Sequence, residues 1–181
     1  ATGQLSGSEP DRQVLLHLAG GVWHVVSITT ARTPGGAVAS TYPNAVASSA
    51  DGPWVAGNDR AGDSGFSTLV EAPAGNRLRQ VSTPDPTPQD NYLQDVATVN
   101  GGRDAWAVGD SVPPSTGNAA SLIEYGSATG GWKAVPSPDP GAPGGNTILD
   151  GVSAFSSSNV WAVGTYDGKG GMRTLILHYT G

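Results

Sequence analysis

Trp54-Val55-Ala56-Gly57, Trp106-Ala107-Val108-Gly109 and Trp161-Ala162-Val163-Gly164 are three copies of one tetrapeptide, set 52 and 55 residues apart in a chain of 181. A period of that size marks a repeat architecture, in which each repeat is one supersecondary unit that cannot bury its apolar face alone. Other segments recur in step with it. Asp95 and Asp150 each stand eleven residues before a repeat Trp, and Asn44 takes that place in the first copy with one residue fewer. Gly131-Trp132-Lys133-Ala134-Val135-Pro136-Ser137-Pro138 matches residues 21–27 and 77–84, with Trp23 retained and Leu78 in place of the Trp. Leu122-Ile123-Glu124-Tyr125 matches Leu15-Leu16-His17-Leu18, Leu69-Val70-Glu71-Ala72 and Leu175-Ile176-Leu177-His178.

Each period therefore holds four short segments rich in Val, Ile, Leu, Trp or Thr and bounded by Gly, Pro, Asn or Ser, the pattern of strands rather than helices. Four strands per repeat of about 50 residues is the signature of a propeller blade. The expected fold is all-β, a β-propeller of four-stranded antiparallel blades. Within a blade the order is an inner strand (149–155), a Trp strand (160–166), a third strand (175–179) and an outer strand (132–136). Residues 1–13 are expected to form a flexible lead-in, followed by a partial blade (14–28), two blades (38–84 and 92–137) and a second partial blade (147–181). About three to three and a half blades cannot close a ring, since propellers close with typically four to eight. A second chain must complete it. One route is a homodimer of six or seven blades, in which the N-terminal outer strand of one copy finishes the last blade of the other; the alternative is another segment of a longer chain.

These motifs resemble those of secreted bacterial propeller proteins, whose repeats carry a Trp-Ala-Val-Gly strand, a Leu-Ile-Glu or Leu-Ile-Leu-His strand and a Trp-x-x-Val-Pro-Ser-Pro strand. The resemblance covers residues 14–181 and implies architecture and a secreted location. It carries no particular activity, because one fold hosts many functions.

Composition narrows the field. The net charge is −6 and the nine Lys and Arg are scattered singly, without the basic stripe that nucleic-acid binding requires. No run of 18 apolar residues is present, so no membrane-spanning helix is expected. With no Cys there is neither a disulfide framework nor a thiolate metal site. The small, polar residues 1–10 read as a mature N-terminus after signal cleavage.

Alternating strands send connections to opposite faces. Residues 29–42, 84–92, 138–147, 58–66, 110–120 and 167–173 form long connections on one face, and 48–53, 100–105, 156–159 and 127–131 form tight turns on the other. Function concentrates on variable loops held by a rigid scaffold, so the long-loop face is the expected ligand face. Asn44, Asp95 and Asp150 begin the inner strands there and are expected around the mouth of a central channel, where they could hold a cation or sugar hydroxyls; an Asx residue before a strand also bonds its own backbone. Arg60, Asp110, Tyr166 and Asp167 are further ligand candidates on long loops, beside Asp59, Asp63 and Lys169. Trp54, Trp106 and Trp161 sit in a central strand and read as core. No cofactor is required, although loop carbonyls and isolated carboxylates can bind Ca²⁺.

Catalytic motifs are weak. Gly62-Asp63-Ser64-Gly65 reproduces the string around the nucleophile of chymotrypsin-like proteases and Gly109-Asp110-Ser111 that of a serine esterase family, but His17, His24 and His178 all lie on expected strands. The sialidase-type Asp box is only approximated at 127–132. The functional expectation is a non-enzymatic binding module for a glycan or a protein surface. The alternatives are an enzyme, a hydrolase or lyase using loop carboxylates such as Asp95 and Asp150, and an assembly unit completed by a different chain.

Overall fold

The computed structural model describes residues 1–5, 12–29, 39–61, 65–141 and 143–181. The chain is all-β, and its described residues form four antiparallel sheets in chain order. The first contains β1 (Thr2–Leu5), β2 (Arg12–Ala19) and β3 (Val22–Thr29). The second contains β4 (Ser40–Ser49), β5 (Gly52–Arg60), β6 (Ser67–Ala74) and β7 (Arg77–Val81). The third contains β8 (Asp90–Val99), β9 (Asp104–Val112), β10 (Ala120–Ser127) and β11 (Gly130–Ala134). The fourth contains β12 (Thr147–Ser156), β13 (Asn159–Gly168) and β14 (Gly171–Tyr179). Each sheet is a meander whose hydrogen-bonded order follows the sequence.

Residues 1–13, expected as a lead-in, include β1 and the start of β2. Thr2–Leu5 pairs antiparallel with β2, and the Ala1 ammonium donates to the Leu16 carbonyl at 2.9 Å. β3, the strand expected to finish a blade of another copy, pairs with β2 of its own chain from Val22 to Thr29.

Neighbouring sheets pack face to face: β4 and β5 meet β8, β8 and β9 meet β12, and β1 and β2 meet β4. Between the second and third sheets, Trp54, Ala56, Val70, Ala72 and Val81 form one cluster with Leu93, Val96, Ala105, Ala107, Leu122 and Trp132. Between the third and fourth, Trp106 and Val108 pack with Leu149, Val160, Ala162 and Leu175 in two clusters. β5 and β9 are thereby covered on both faces and buried almost continuously, from Trp54 to Asp59 and from Ala105 to Ser111. β13 instead alternates buried and exposed residues from Asn159 to Gly164, because only one of its faces is covered.

The invariant Gly of the tetrapeptide has a steric cause. Opposite each Trp strand the inner strand carries a one-residue bulge, with the register shifting between Pro43 and Ala45, Leu93 and Asp95, and Leu149 and Gly151. The bulge thrusts a carbonyl at the partner strand: a Cβ on Gly57, Gly109 or Gly164 would overlap the carbonyl oxygen of Tyr42, Tyr92 or Ile148. The bulged residues are thus Asn44, Gln94 and Asp150. This corrects the equivalence of Asp95 with Asn44 and Asp150, since Gln94 holds that place. Counting back from the Trp misleads because the β8–β9 connection is lengthened by the 3₁₀ turn Asn100–Gly102, and β12 carries a second bulge between Ala154 and Ser156.

Candidate functional site

Antiparallel meanders put the β5–β6, β7–β8, β9–β10 and β11–β12 connections at one end of the sheets. The 167–173 connection, expected to be long, is a tight hairpin in which Gly168 pairs with Gly171. The long connections are pinned by a repeated set of clamps. Thr68 N donates to Asp85 Oδ1 at 2.8 Å and Ser121 N to Asp139 Oδ1 at 2.7 Å. The Thr68 and Thr83 hydroxyls meet at 2.8 Å, as those of Ser121 and Ser137 do at 2.6 Å. Phe66 N donates to Asp90 Oδ1 at 3.0 Å and Ala119 N to Asn146 Oδ1 at 2.9 Å. Side-chain acceptors therefore satisfy free backbone donors where β6 and β10 begin, tying those strand starts to the connections that carry Asp85, Asp90, Asp139 and Asn146.

Three of the residues expected to bind a ligand make hydrogen bonds within the scaffold. Asn44 Nδ2 donates to the Leu93 carbonyl of the next sheet at 2.8 Å and to Asn58 Oδ1 at 3.2 Å. Asp95 Oδ2 accepts the Val152 N–H at 2.8 Å, again across a sheet boundary, and its Oδ1 accepts the Val96 N–H. Asp167 Oδ2 accepts both the backbone and the side-chain N–H of Asn146, at 3.0 and 2.9 Å, and these bonds hold its pKa below the usual value. Tyr166 is half-buried against the Val108, Leu149 and Ala162 cluster.

Arg60 and Asp110 both act on Tyr92, and Asp150 acts on Asp110. The Arg60 guanidinium lies over the Phe66 ring, 5.4 Å from its centroid. Phe66 packs edge-on to Tyr42 with centroids 5.4 Å apart, and against Tyr92 at 5.2 Å. Tyr92 is the cross-strand partner of Asp110. Burial raises the Tyr92 pKa, reinforced by the charges of Asp90 and Asp110 and opposed by Arg60. Burial also lifts Asp110 to about 6, offset by a hydrogen bond from Gln94 and reinforced by Asp150 and Asp90. Asp59, one residue before Arg60, is likewise lifted by burial to about 6, against the bond that Gln80 Nε2 donates to it at 3.0 Å. Asp150 is exposed. The cluster thus combines a row of half-buried aromatic rings, a cation and acidic groups in several environments. Such a surface can stack on the apolar face of a sugar and accept its hydroxyl protons.

Tyr42, Phe66, Tyr92 and Asp90 escaped the sequence reading, as did the clamps at Asp85 and Asp139. Two signals were present: a Tyr two residues before the bulge at Tyr42 and Tyr92, and the repeated Thr83-Pro84-Asp85-Pro86 and Ser137-Pro138-Asp139-Pro140. Asp63 and Ser64 lie outside the described residues, so the Gly62-Asp63-Ser64-Gly65 string has no structural account. His178 Nε2 sits 3.0 Å from Asn159 Oδ1 with its ring stacked on Trp161, and His17 and His24 are cross-strand partners on an exposed hairpin. Among the described residues, no three His, Asp or Glu side chains are grouped to hold a metal ion, and no helix is long and apolar enough to cross a membrane. No family model matches the chain, and no curated protein matches its sequence.

Proposed function

We propose that the chain is a non-enzymatic binding module whose four sheets are blades of a β-propeller, with the ring completed by a second chain and a carbohydrate engaged on the long-loop face. The observation that carries this reading is the row of Tyr42, Phe66 and Tyr92, with Arg60 over Phe66, Asp110 opposite Tyr92 on the next strand, and Asp150 acting on Asp110. Aromatic rings that pack in series and are only partly buried offer area for stacking on a sugar, and the hydrogen bonds at the starts of β6 and β10 hold the neighbouring chain in place, which lowers the ordering cost of binding. The test is a glycan array followed by calorimetry on its hits. Tyr92→Ala and Asp150→Asn should each weaken binding at least roughly tenfold, which corresponds to about 1.4 kcal/mol, with the far-UV circular dichroism unchanged. Binding that is indifferent to both substitutions, or an array without hits, would defeat the proposal.

A hydrolase is the second reading, favoured by the elevated pKa of Asp110, since a carboxyl whose pKa is raised by burial is what the general acid of glycoside cleavage needs. Turnover of an array hit that Asp110→Asn abolishes would select it.

A further inference from the structure

The two ends of the sheet stack expose opposite halves of one repeated interface. Inside the molecule that interface is seen complete where the Trp strand of the second sheet meets the outer strand of the third. There Trp54 packs against Trp132 with ring centroids 6.0 Å apart, both residues buried. Trp161 is the repeat counterpart of Trp54, and Trp23 is the counterpart of Trp132.

Both of these counterparts are uncovered. On the fourth sheet, Trp161 and Val163 share a face with their cross-strand partners His178 and Ile176. Trp161 is 48% exposed, Val163 45% and Ile176 61%. The same positions on the third sheet, Trp106 and Val108, are buried at 2% and 0% by the sheet that follows. On the first sheet, Trp23 and Val25 pair with Leu18 and Leu16, and strand alternation puts them on the face opposite Val26. Val26 and Leu15 line a groove against Gly52 and Pro53 of the second sheet, so Trp23 and Val25 point away from the molecule.

We infer that these two faces dock on each other between copies of this chain, Trp161 of one copy seating on Trp23 of the next as Trp54 seats on Trp132. The contact is head to tail, so it either closes or propagates. Two copies supply eight sheets, within the range at which propeller rings close. The inference rests on the blade reading above and replaces strand exchange, which β3 cannot supply while it is paired to β2, with face-to-face packing.

The experiment is analytical ultracentrifugation of the wild type, Trp23→Glu, Trp161→Glu and an equimolar mixture of the two variants. Both side chains are exposed within one chain, so each variant should keep the wild-type circular dichroism, and its melting temperature should fall only to that of wild type diluted to the monomer. The wild type should sediment as two chains. Each variant alone should be monomeric, with the dissociation constant raised at least roughly 100-fold, as for loss of a central aromatic anchor. The mixture should recover a two-chain species, because the intact Trp161 face of one variant meets the intact Trp23 face of the other. A wild type that remains monomeric up to roughly 100 μM, weaker than specific association requires, overturns the inference, and so does a variant that dimerises alone. Glycan binding retained by a monomeric protein would leave the loop-face reading standing while this inference fails.

Discussion

Asp95 Oδ2 accepts the backbone N–H of Val152 at 2.8 Å, joining β8 of the third sheet to β12 of the fourth. Asp150, which the sequence pairs with it, is exposed. Removing a charged acceptor from a part-buried backbone donor costs about 1–3 kcal/mol. Asp95→Ala should therefore lower stability by about that amount and Asp150→Ala by less than about 0.5 kcal/mol, as measured by urea denaturation. Equal losses would show that Asp150 too is structural.

Gly109→Ala tests the bulge. Its Cβ would overlap the Tyr92 carbonyl oxygen, and the nearest atoms are all backbone of β8, which leaves little room to relax. A loss of about 3 kcal/mol or more is expected, at the upper end of overpacking effects. Gly57→Ala and Gly164→Ala should behave alike, because the same clash recurs at Tyr42 and Ile148. A melting temperature unchanged in all three would remove the steric explanation of the repeat glycine.

Trp54 and Trp106 are repeat counterparts with different hydrogen bonding. Trp54 Nε1 donates to the Gly102 carbonyl at 3.0 Å, whereas the buried Trp106 Nε1 has no partner. The carbonyl that Trp54 meets comes from the 3₁₀ turn Asn100–Gly102, and the turn that follows β12 is shorter. Trp54→Phe should cost about 1–2 kcal/mol more than Trp106→Phe, since only the former leaves an acceptor unpaired. Thermal melts of the two variants, with the Ala variants as references for lost packing, check this.

Glu124 gives stability a pH dependence. Its side chain is fully buried with both carboxylate oxygens unpartnered, and burial, assisted by the charge of Asp85, raises its pKa from 4.5 to about 9. Between these values the folded chain holds a proton that the unfolded chain releases. This contribution is therefore complete below about pH 4.5 and is lost as pH rises towards 9. Asp59 and Asp110, raised from 3.8 to about 6, act in the same sense over a lower window. Glu124→Gln should leave the melting temperature at pH 5 nearly unchanged and raise it at pH 8 by several degrees, at roughly 2–4 °C per kcal/mol for a chain of this size. Parallel curves for variant and wild type across that range would contradict it.

The repeat, its strands and the meander order were legible in the chain because a period of about 50 residues with a Trp at a constant place records a packing unit used several times. The Trp residues at 54 and 106 read correctly as core for the same reason. β1 was not legible, because Thr2–Leu5 carries no repeat motif and becomes a strand only through its register with β2. The identity of the bulged residue was hidden too. Two turns of different length and a second bulge shift the count along the sequence, while the ladder on either side stays in register.

By itself, then, the sequence determined the class of structure, since alternation of apolar residues and the spacing of Gly and Pro are local properties of the chain. Only the tertiary structure decided what each polar residue does. Asn44 and Asp95 bond across sheet boundaries, and Asp110 loses water where β9 is covered on both faces; each outcome depends on atoms far away in sequence. Burial and distance set hydrogen bonding and ionisation, and neither is encoded in any one segment.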